Sequence, residues 1–156
     1  MIILIAAVGK NNELGKDNKL LWNLPNDLKF FKEITLNKTV VMGYNTYLSL
    51  PRLLPNRKNV VLYEKDLKDV ITYHSKEELL NSLKEDLYII GGANVYKQFI
   101  DDASVIYLTE IDDSKDADVY FPNFNKNNFQ KIFLKENSDG KVKYKHYKYV
   151  RYKDER

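Results

Sequence analysis

The residue with most to say about chemistry is an acid, Asp27, placed where the local pattern calls for a hydrophobe. Leu24-Pro25-Asn26-Asp27-Leu28-Lys29-Phe30-Phe31-Lys32-Glu33-Ile34 reads as a loop entering a helix, with Pro25 suited to the first helical position. At about 100° per residue, Asp27 shares a stripe with Leu24, Phe31 and Ile34, while Lys29 and Glu33 point elsewhere. A carboxylate among apolar side chains is costly unless a cation or a hydrogen-bond donor meets it. Two readings stand here: an acid favoured in a first turn by the helix dipole, or one waiting for a polar ligand edge.

Two strand-to-helix turns offer a place for phosphate. In Val40-Val41-Met42-Gly43-Tyr44-Asn45-Thr46 a glycine ends the strand and a hydroxyl follows; in Tyr88-Ile89-Ile90-Gly91-Gly92-Ala93-Asn94-Val95-Tyr96 a glycine pair does the same. A missing β-carbon lets a ligand approach the backbone, and free amides at a helix start attract anions. Neither turn has the GxGxxG spacing, and a lone Gly-Gly is more often plain turn chemistry. Two such turns beyond the carboxyl ends of neighbouring strands suit a dinucleotide pyrophosphate.

Other chemistries lack their residues. With no cysteine there is no thiolate nucleophile and no disulfide framework. His74 and His146 fall in unrelated segments, so no metal site is expected. No serine has a plausible base. The run Lys143 to Tyr152 mixes bases with aromatics, which an amphipathic edge strand explains better than nucleic-acid binding.

These residues need a scaffold, and the chain supplies strand–helix alternation followed by strands alone. Ile2 to Val8 is an all-apolar run, as expected of a strand covered on both faces. Gly9 to Leu24 reads as one long polar loop, a length that is usually functional. The Pro25 helix, a strand at Thr39 to Met42 and a short helix after Gly43 follow. Strands at Lys58 to Leu62 and, weakly, Asp69 to Tyr73 precede a helix from Lys76 to Leu83 capped by Ser75. Next come a strand at Leu87 to Ile90, a helix from Gly92 to about Ile100 and a strand at Ser104 to Glu110. Phe129 to Tyr152 reads as a hairpin turning at Asp139-Gly140. The expected fold is α/β: right-handed crossovers, a mostly parallel sheet and antiparallel edge strands.

At 156 residues, with 44% hydrophobic and 30% charged residues, a single domain over 1–156 is expected. A net charge of +3 is too mild to imply nucleic acid. No apolar run reaches membrane-spanning length, and the amino end carries no basic leader. A cytoplasmic protein with no membrane partner is the expectation.

The motifs together resemble the bacterial dihydrofolate reductases over essentially the whole chain. The resemblance rests on Ile5-Ala6-Ala7, Leu14-Gly15, the stretch Leu20 to Lys32 with Trp22, Pro25 and Asp27, and Met42-Gly43 with Thr46. It continues in Leu54-Pro55-Asn56-Arg57-Lys58-Asn59, Ile90-Gly91-Gly92 with Tyr96, Tyr107 to Asp112, and Phe121-Pro122. It implies an eight-stranded sheet with about four helices on both faces. It also implies reduction of 7,8-dihydrofolate to 5,6,7,8-tetrahydrofolate by NADPH, supplying one-carbon carriers for thymidylate, purine and amino-acid synthesis. Antifolate inhibitors are implied as ligands, and a monomer is the default.

The resemblance also distributes roles. Asp27 would pair with the amino-pyrimidine edge of the pterin and favour its protonation through a water. Thr109 would bridge to Asp27, Trp22 would hold the water, and Leu20 would belong to the mobile loop at the catalytic centre. Ile5, Leu28, Phe31, Leu50, Leu54 and Ile90 would wall the pterin and benzoyl ring, with Ser49 and Arg52 nearby. Arg57 would clamp the glutamate α-carboxylate, and Lys32 would steer the tail. Backbone of Ala7 and Ile90 would orient the nicotinamide, with Ala6, Leu14, Gly15 and Asn18 around it. The pyrophosphate and adenosine would meet Gly43, Tyr44, Asn45, Thr46, Leu62, Tyr63, Glu64, Gly91, Gly92, Ala93, Asn94, Val95 and Tyr96. Gly91-Gly92 resembles a pair the family joins by a cis peptide.

The departures from the family pattern lie on the adenosine side. Tyr44 and Asn94 stand where relatives often carry basic residues, and Glu64 where a small hydroxyl often meets the ribose 2′-phosphate. His74, Lys65 or Lys76 could compensate. NADH is therefore an expected second cofactor, with weaker discrimination than usual. Ala93 for a frequent glycine and Leu21 for a frequent proline touch the pyrophosphate turn and the loop. Two rival functions remain: a reductase of the same fold acting on another heterocycle, such as those of the riboflavin pathway, and a non-catalytic nucleotide-binding descendant.

Overall fold

The apolar opening run forms β1 (Ile2–Val8), and a computed structural model describes residues 1–153 around it. The chain continues through β2 (Glu13–Lys16), β3 (Lys19–Leu20), α1 (Pro25–Thr35), β4 (Thr39–Gly43), α2 (Tyr44–Ser49), β5 (Lys58–Leu62) and β6 (Ile71–Tyr73). Then follow α3 (Lys76–Ser82), β7 (Leu87–Gly91), α4 (Ala93–Phe99), β8 (Ala103–Ile111), β9 (Val119–Tyr120), β10 (Phe129–Asp139) and β11 (Val142–Arg151). The eight-stranded sheet has the order β10-β11-β8-β1-β7-β4-β5-β6. Its β1, β4, β5, β6, β7 and β8 pair in parallel, while β11 runs antiparallel to β8 and β10.

Alternation along each strand splits the core in two. Leu4, Val41, Val60 and Ile89 pack with Leu79 of α3 and Val95 and Phe99 of α4. Ile3, Val40, Met42 and Val61 face the other way, toward Ile34 of α1 and Tyr47 of α2. The helices therefore cover both faces, as parallel strands require. Ser75 caps α3 by accepting from the Glu78 amide at 3.1 Å.

Two differences from expectation have local causes. The stretch Gly9 to Leu24 is not one irregular loop: β2 and β3 form a hairpin, and β9 joins them in a three-stranded sheet of order β3-β2-β9. The hairpin turn uses Asp17 and Asn18 at φ of 51° and 62°, a conformation that short polar side chains tolerate. The sixth strand starts at Ile71 rather than Asp69, because Asp69 sits in a turn at φ 66°. The Gly91–Gly92 peptide is cis. Among the described residues, no helix is long and apolar enough to cross a membrane.

Candidate functional site

Asp27 sits in the first turn of α1, its side chain 19% exposed, and Thr109 of β8 donates its hydroxyl to Asp27 Oδ1 at 3.0 Å. Thr109 is itself buried, and strand register places it between Ala7 on β1 and His146 on β11. Burial holds the Asp27 carboxyl up at about 6; the Thr109 hydrogen bond pulls it down, and nearby Asp139 pushes it up. The acid is thus neither salt-bridged nor spent on helix capping. Among the described residues, its Oδ2 accepts no hydrogen bond.

Folding lifts this acid from 3.8 to about 6, so the folded state holds the proton more tightly than the unfolded chain. Stability therefore falls as pH rises from about 4 to about 6. Asp27→Asn removes that cost: above about pH 7 the ligand-free variant is expected to be more stable than the parent, by up to about 3 kcal/mol. Urea unfolding at about pH 4 and about pH 7.5 checks it. Equal stability of the two proteins at the higher pH would contradict it.

The sequence reading set His146 aside, and the structure puts it behind this acid. It is fully buried, with Nδ1 2.7 Å from Thr109 Oγ1 and 3.8 Å from Asp27 Oδ1, and Nε2 3.1 Å from Asn137 Nδ2. Its ring stacks on Phe30 of α1, with centroids 4.0 Å apart. Phe30, not Phe31, is thus the buried aromatic of this helix. A signal existed: Tyr144 and His146 share the inward parity of β11, alternating with exposed Lys143 and Lys145.

The residues expected to wall a flat ligand differ in burial. Ile5 is buried; Phe31, Leu50, Leu54 and Ile90 are half-buried; Leu28 beside Asp27 is exposed. Arg57 is half-buried, donating from Nη1 to Thr35 Oγ1 and from Nε to the Pro55 carbonyl, each at 3.0 Å. Buried Asn59 staples the loop that carries it, pairing with the Leu54 amide, the Leu54 carbonyl and the Arg57 carbonyl. Lys32, Ser49 and Arg52 are exposed, and Ser49 donates its hydroxyl to the Thr46 carbonyl. A hollow of about 950 Å³ lies beside the C-terminal hairpin, lined by Asn26, Leu108, Asn137 and Tyr144 among others.

The turns after β4 and β7 each open a helix on a glycine. Gly43 and Gly92 precede α2 and α4 in extended conformation with no side-chain cap, which leaves the first amides of each helix free. A β-carbon on Gly43 would meet Val95 Cγ2 at 2.9 Å, and one on Gly91 would meet Thr46 Oγ1 at 3.2 Å. Val95 and Tyr96, expected as cofactor contacts, have their side chains in the core: Val95 fills the space beside Gly43, and Tyr96 donates its hydroxyl to the Ile5 carbonyl at 2.7 Å. Leu62 is buried as well.

On the adenosine side, Tyr44 and Tyr63 stack face to face, centroids 4.0 Å apart. Two of the three expected compensating cations are engaged elsewhere. His74 is held between Asp66 at 2.7 Å and Glu78 at 3.0 Å, chiefly by the Asp66 hydrogen bond that also raises its pKa. Lys76 is tied to Asp102 and the Gln98 carbonyl. Of the three, only Lys65 pairs with no acid among the described residues.

The loop residues are positioned by a latch the sequence reading missed. Glu13 is buried and accepts from Asn11 N, Ser114 Oγ and Lys115 N, joining β2 to the loop after β8. A lone acid in a polar loop gives no sequence hint of this. Trp22 donates its one N–H to Asp113 Oδ2 at 2.9 Å. Leu20, expected at the catalytic centre, is 81% exposed on β3. Asn18 lies in the exposed hairpin turn, Gly15 pairs with Leu20, and Leu14 packs on the core.

A family model described as dihydrofolate reductase matches residues 1–154. The chain is 39% identical over 147 residues to the dihydrofolate reductase of Buchnera aphidicola subsp. Acyrthosiphon pisum, spanning 90% of this chain and 91% of that one. Over 137 residues it is 36% identical to the Bacillus subtilis dihydrofolate reductase, spanning 85% and 82%. Among solved structures it resembles dihydrofolate reductase from Enterococcus faecalis complexed with NADP(H) and RAB-propyl. There the TM-score is 0.88 and the identity 32%, covering 97% of this chain and 96% of that one.

Proposed function

The chain belongs to the dihydrofolate reductase family, and on that premise we propose which of its residues carry the reaction. It reduces 7,8-dihydrofolate to 5,6,7,8-tetrahydrofolate at the expense of NADPH. The observation that supports the assignment of roles is a mostly buried carboxylate with no charged partner and one oxygen unclaimed among the described residues. An absorbance decrease at the nicotinamide band on mixing protein, NADPH and dihydrofolate tests the activity; a flat trace contradicts it.

Asp27 receives the amino-pyrimidine edge of the pterin, two N–H donors against two carboxylate oxygens. Thr109 fixes the rotation of that carboxylate from behind. Phe31, Leu50 and Leu54 exclude water from the faces of the substrate, and Ile5 and Ile90 close the floor. Arg57 receives the α-carboxylate of the tail. When bound, NADPH supplies the hydride; the free amides after Gly43 and Gly92 hold its pyrophosphate. The ring nitrogen beside the accepting carbon takes its proton from water, and the Asp27 charge favours that protonated pterin. Antifolates presenting the same amino-pyrimidine edge bind against Asp27.

Weak discrimination against NADH follows from the adenosine side. Glu64 is exposed beside the stacked tyrosines, and His74 and Lys76 are held by carboxylates, so Lys65 alone is left to meet a 2′-phosphate. The ratio of kcat/KM for NADPH over NADH is expected to stay well under a thousandfold. A bias of about a thousandfold, equivalent to about 4 kcal/mol, would contradict this. Family membership, Asp27 and Arg57 together disfavour both a reductase of another heterocycle and a non-catalytic descendant.

We infer a single-domain monomer in the cytoplasm. Light scattering that returns the 18.4 kDa chain mass supports the monomer, and twice that mass overturns it.

A further inference from the structure

His146 is fully buried, and both of its ring nitrogens are engaged, one toward Thr109 and one toward Asn137. Thr109 has a single hydroxyl proton and two neighbours able to accept it: Asp27 Oδ1 at 3.0 Å and His146 Nδ1 at 2.7 Å. An ionised Asp27 has no proton to offer, so Thr109 must donate to it, and the shorter contact must then be Nδ1–H donating to Thr109 Oγ1. The other end agrees, since Asn137 Nδ2 lies at 3.1 Å from Nε2 and can donate only to an unprotonated nitrogen.

We propose that His146 is a positioning residue for Asp27: neutral and protonated on Nδ1, it commits the one Thr109 proton to the carboxylate. Every donor in the chain Asn137–His146–Thr109–Asp27 then points the same way, and each bond polarises the next. In the opposite tautomer, protonated on Nε2, the Thr109 proton would turn to His146 and leave a lone pair facing the carboxylate.

The groups packed around the ring keep it neutral. Burial pushes its pKa down to about 4, and Lys135 of β10 adds a repulsive charge. Lys135 is in turn 3.8 Å from Glu33 of α1. Among the described residues Asp27 is the one acid in contact, 3.8 Å away. Tyr144 of β11 meets the ring edge-on, and Phe30 covers its face. The stack and the hydrogen bond are separable: Phe at 146 keeps the ring and loses the donor, whereas Asn keeps an N–H near the Nδ1 position and loses the ring.

The proposal rests on Asp27 being the pterin-facing acid, but its test needs no turnover. Long-range ¹⁵N–¹H NMR of the ligand-free protein at neutral pH, with the two histidines separated by a His74→Gln variant, is expected to show His146 protonated on Nδ1 and bare on Nε2. The Nε2–H tautomer or an imidazolium would overturn it. Carboxyl ¹³C titration of Asp27 gives the second reading. In His146→Phe the midpoint is expected to rise by about half a unit as polarisation through Thr109 is lost. In His146→Asn it is expected to hold at the wild-type value while thermal stability falls. An unmoved midpoint in the Phe variant, or equal shifts in both, would overturn the proposal. The tautomer measurement uses the unmodified site and stands even if a variant fails to fold. Loss of the Asp27 role itself would appear separately, as undiminished turnover of Asp27→Asn.

Discussion

Asp27→Asn is expected to cut kcat/KM for dihydrofolate about a thousandfold at neutral pH and to leave the fold intact. The amide still accepts from Thr109 on its oxygen, so the hydrogen bond at 3.0 Å survives. What disappears is the negative charge facing the pterin. An amide presents an N–H where the carboxylate presented a second acceptor, so one substrate donor meets a donor. Nothing then favours protonation of the substrate ring nitrogen, and the variant depends on protons from solvent. Its activity is expected to recover in part as the pH falls, because the free pterin begins to carry its own proton. Steady-state rates from about pH 5 to about pH 9, with melting curves alongside, check this. Full activity at neutral pH would remove Asp27 from the reaction. The same variant gains stability when ligand-free, so the acid costs the fold stability in order to serve binding.

The second large effect belongs to Arg57. Two of its five donors are already fixed on Thr35 and the Pro55 carbonyl, which leaves one proton on Nη1 and two on Nη2 for a carboxylate. A lysine keeps the charge and loses both the fork and its anchors. Arg57→Lys is expected to raise KM for dihydrofolate about 30- to 100-fold, the scale of one bidentate charge-assisted pair, with kcat little changed. A dihydropterin substrate without the glutamate tail supplies the control, since its KM should not move. Equal loss with both substrates would mean that Arg57 supports the site and does not hold the tail.

The large elements were legible because each has a single dominant periodicity or cap. The all-apolar β1, the Pro25 start of α1, the Ser75 cap of α3 and the Asp139-Gly140 hairpin each rest on local chemistry. The small hairpin of β2 and β3 was hidden because its strands carry almost no hydrophobic alternation; only Asp17-Asn18 marked the turn. Asp27 stood out as a polar residue on an apolar stripe. His146 did not, because its partners Thr109 and Asn137 lie 37 and 9 residues away in sequence and meet it only through strand register. Glu13 was hidden for the same reason, its partners Ser114 and Lys115 lying about a hundred residues downstream. Val95 and Tyr96 carry the family's pattern in the cofactor turn, yet their side chains turn into the core, a choice made by helix phase in α4. Contacts that cross the sheet cannot be read from spacing alone.

The most direct measurement is a crystal structure of the protein with folate and oxidised cofactor bound. Both Asp27 oxygens are expected within about 3 Å of the pterin's pyrimidine nitrogens, with Thr109 behind them. A pterin bound with Asp27 facing solvent, or seated elsewhere in the molecule, would contradict the assignment.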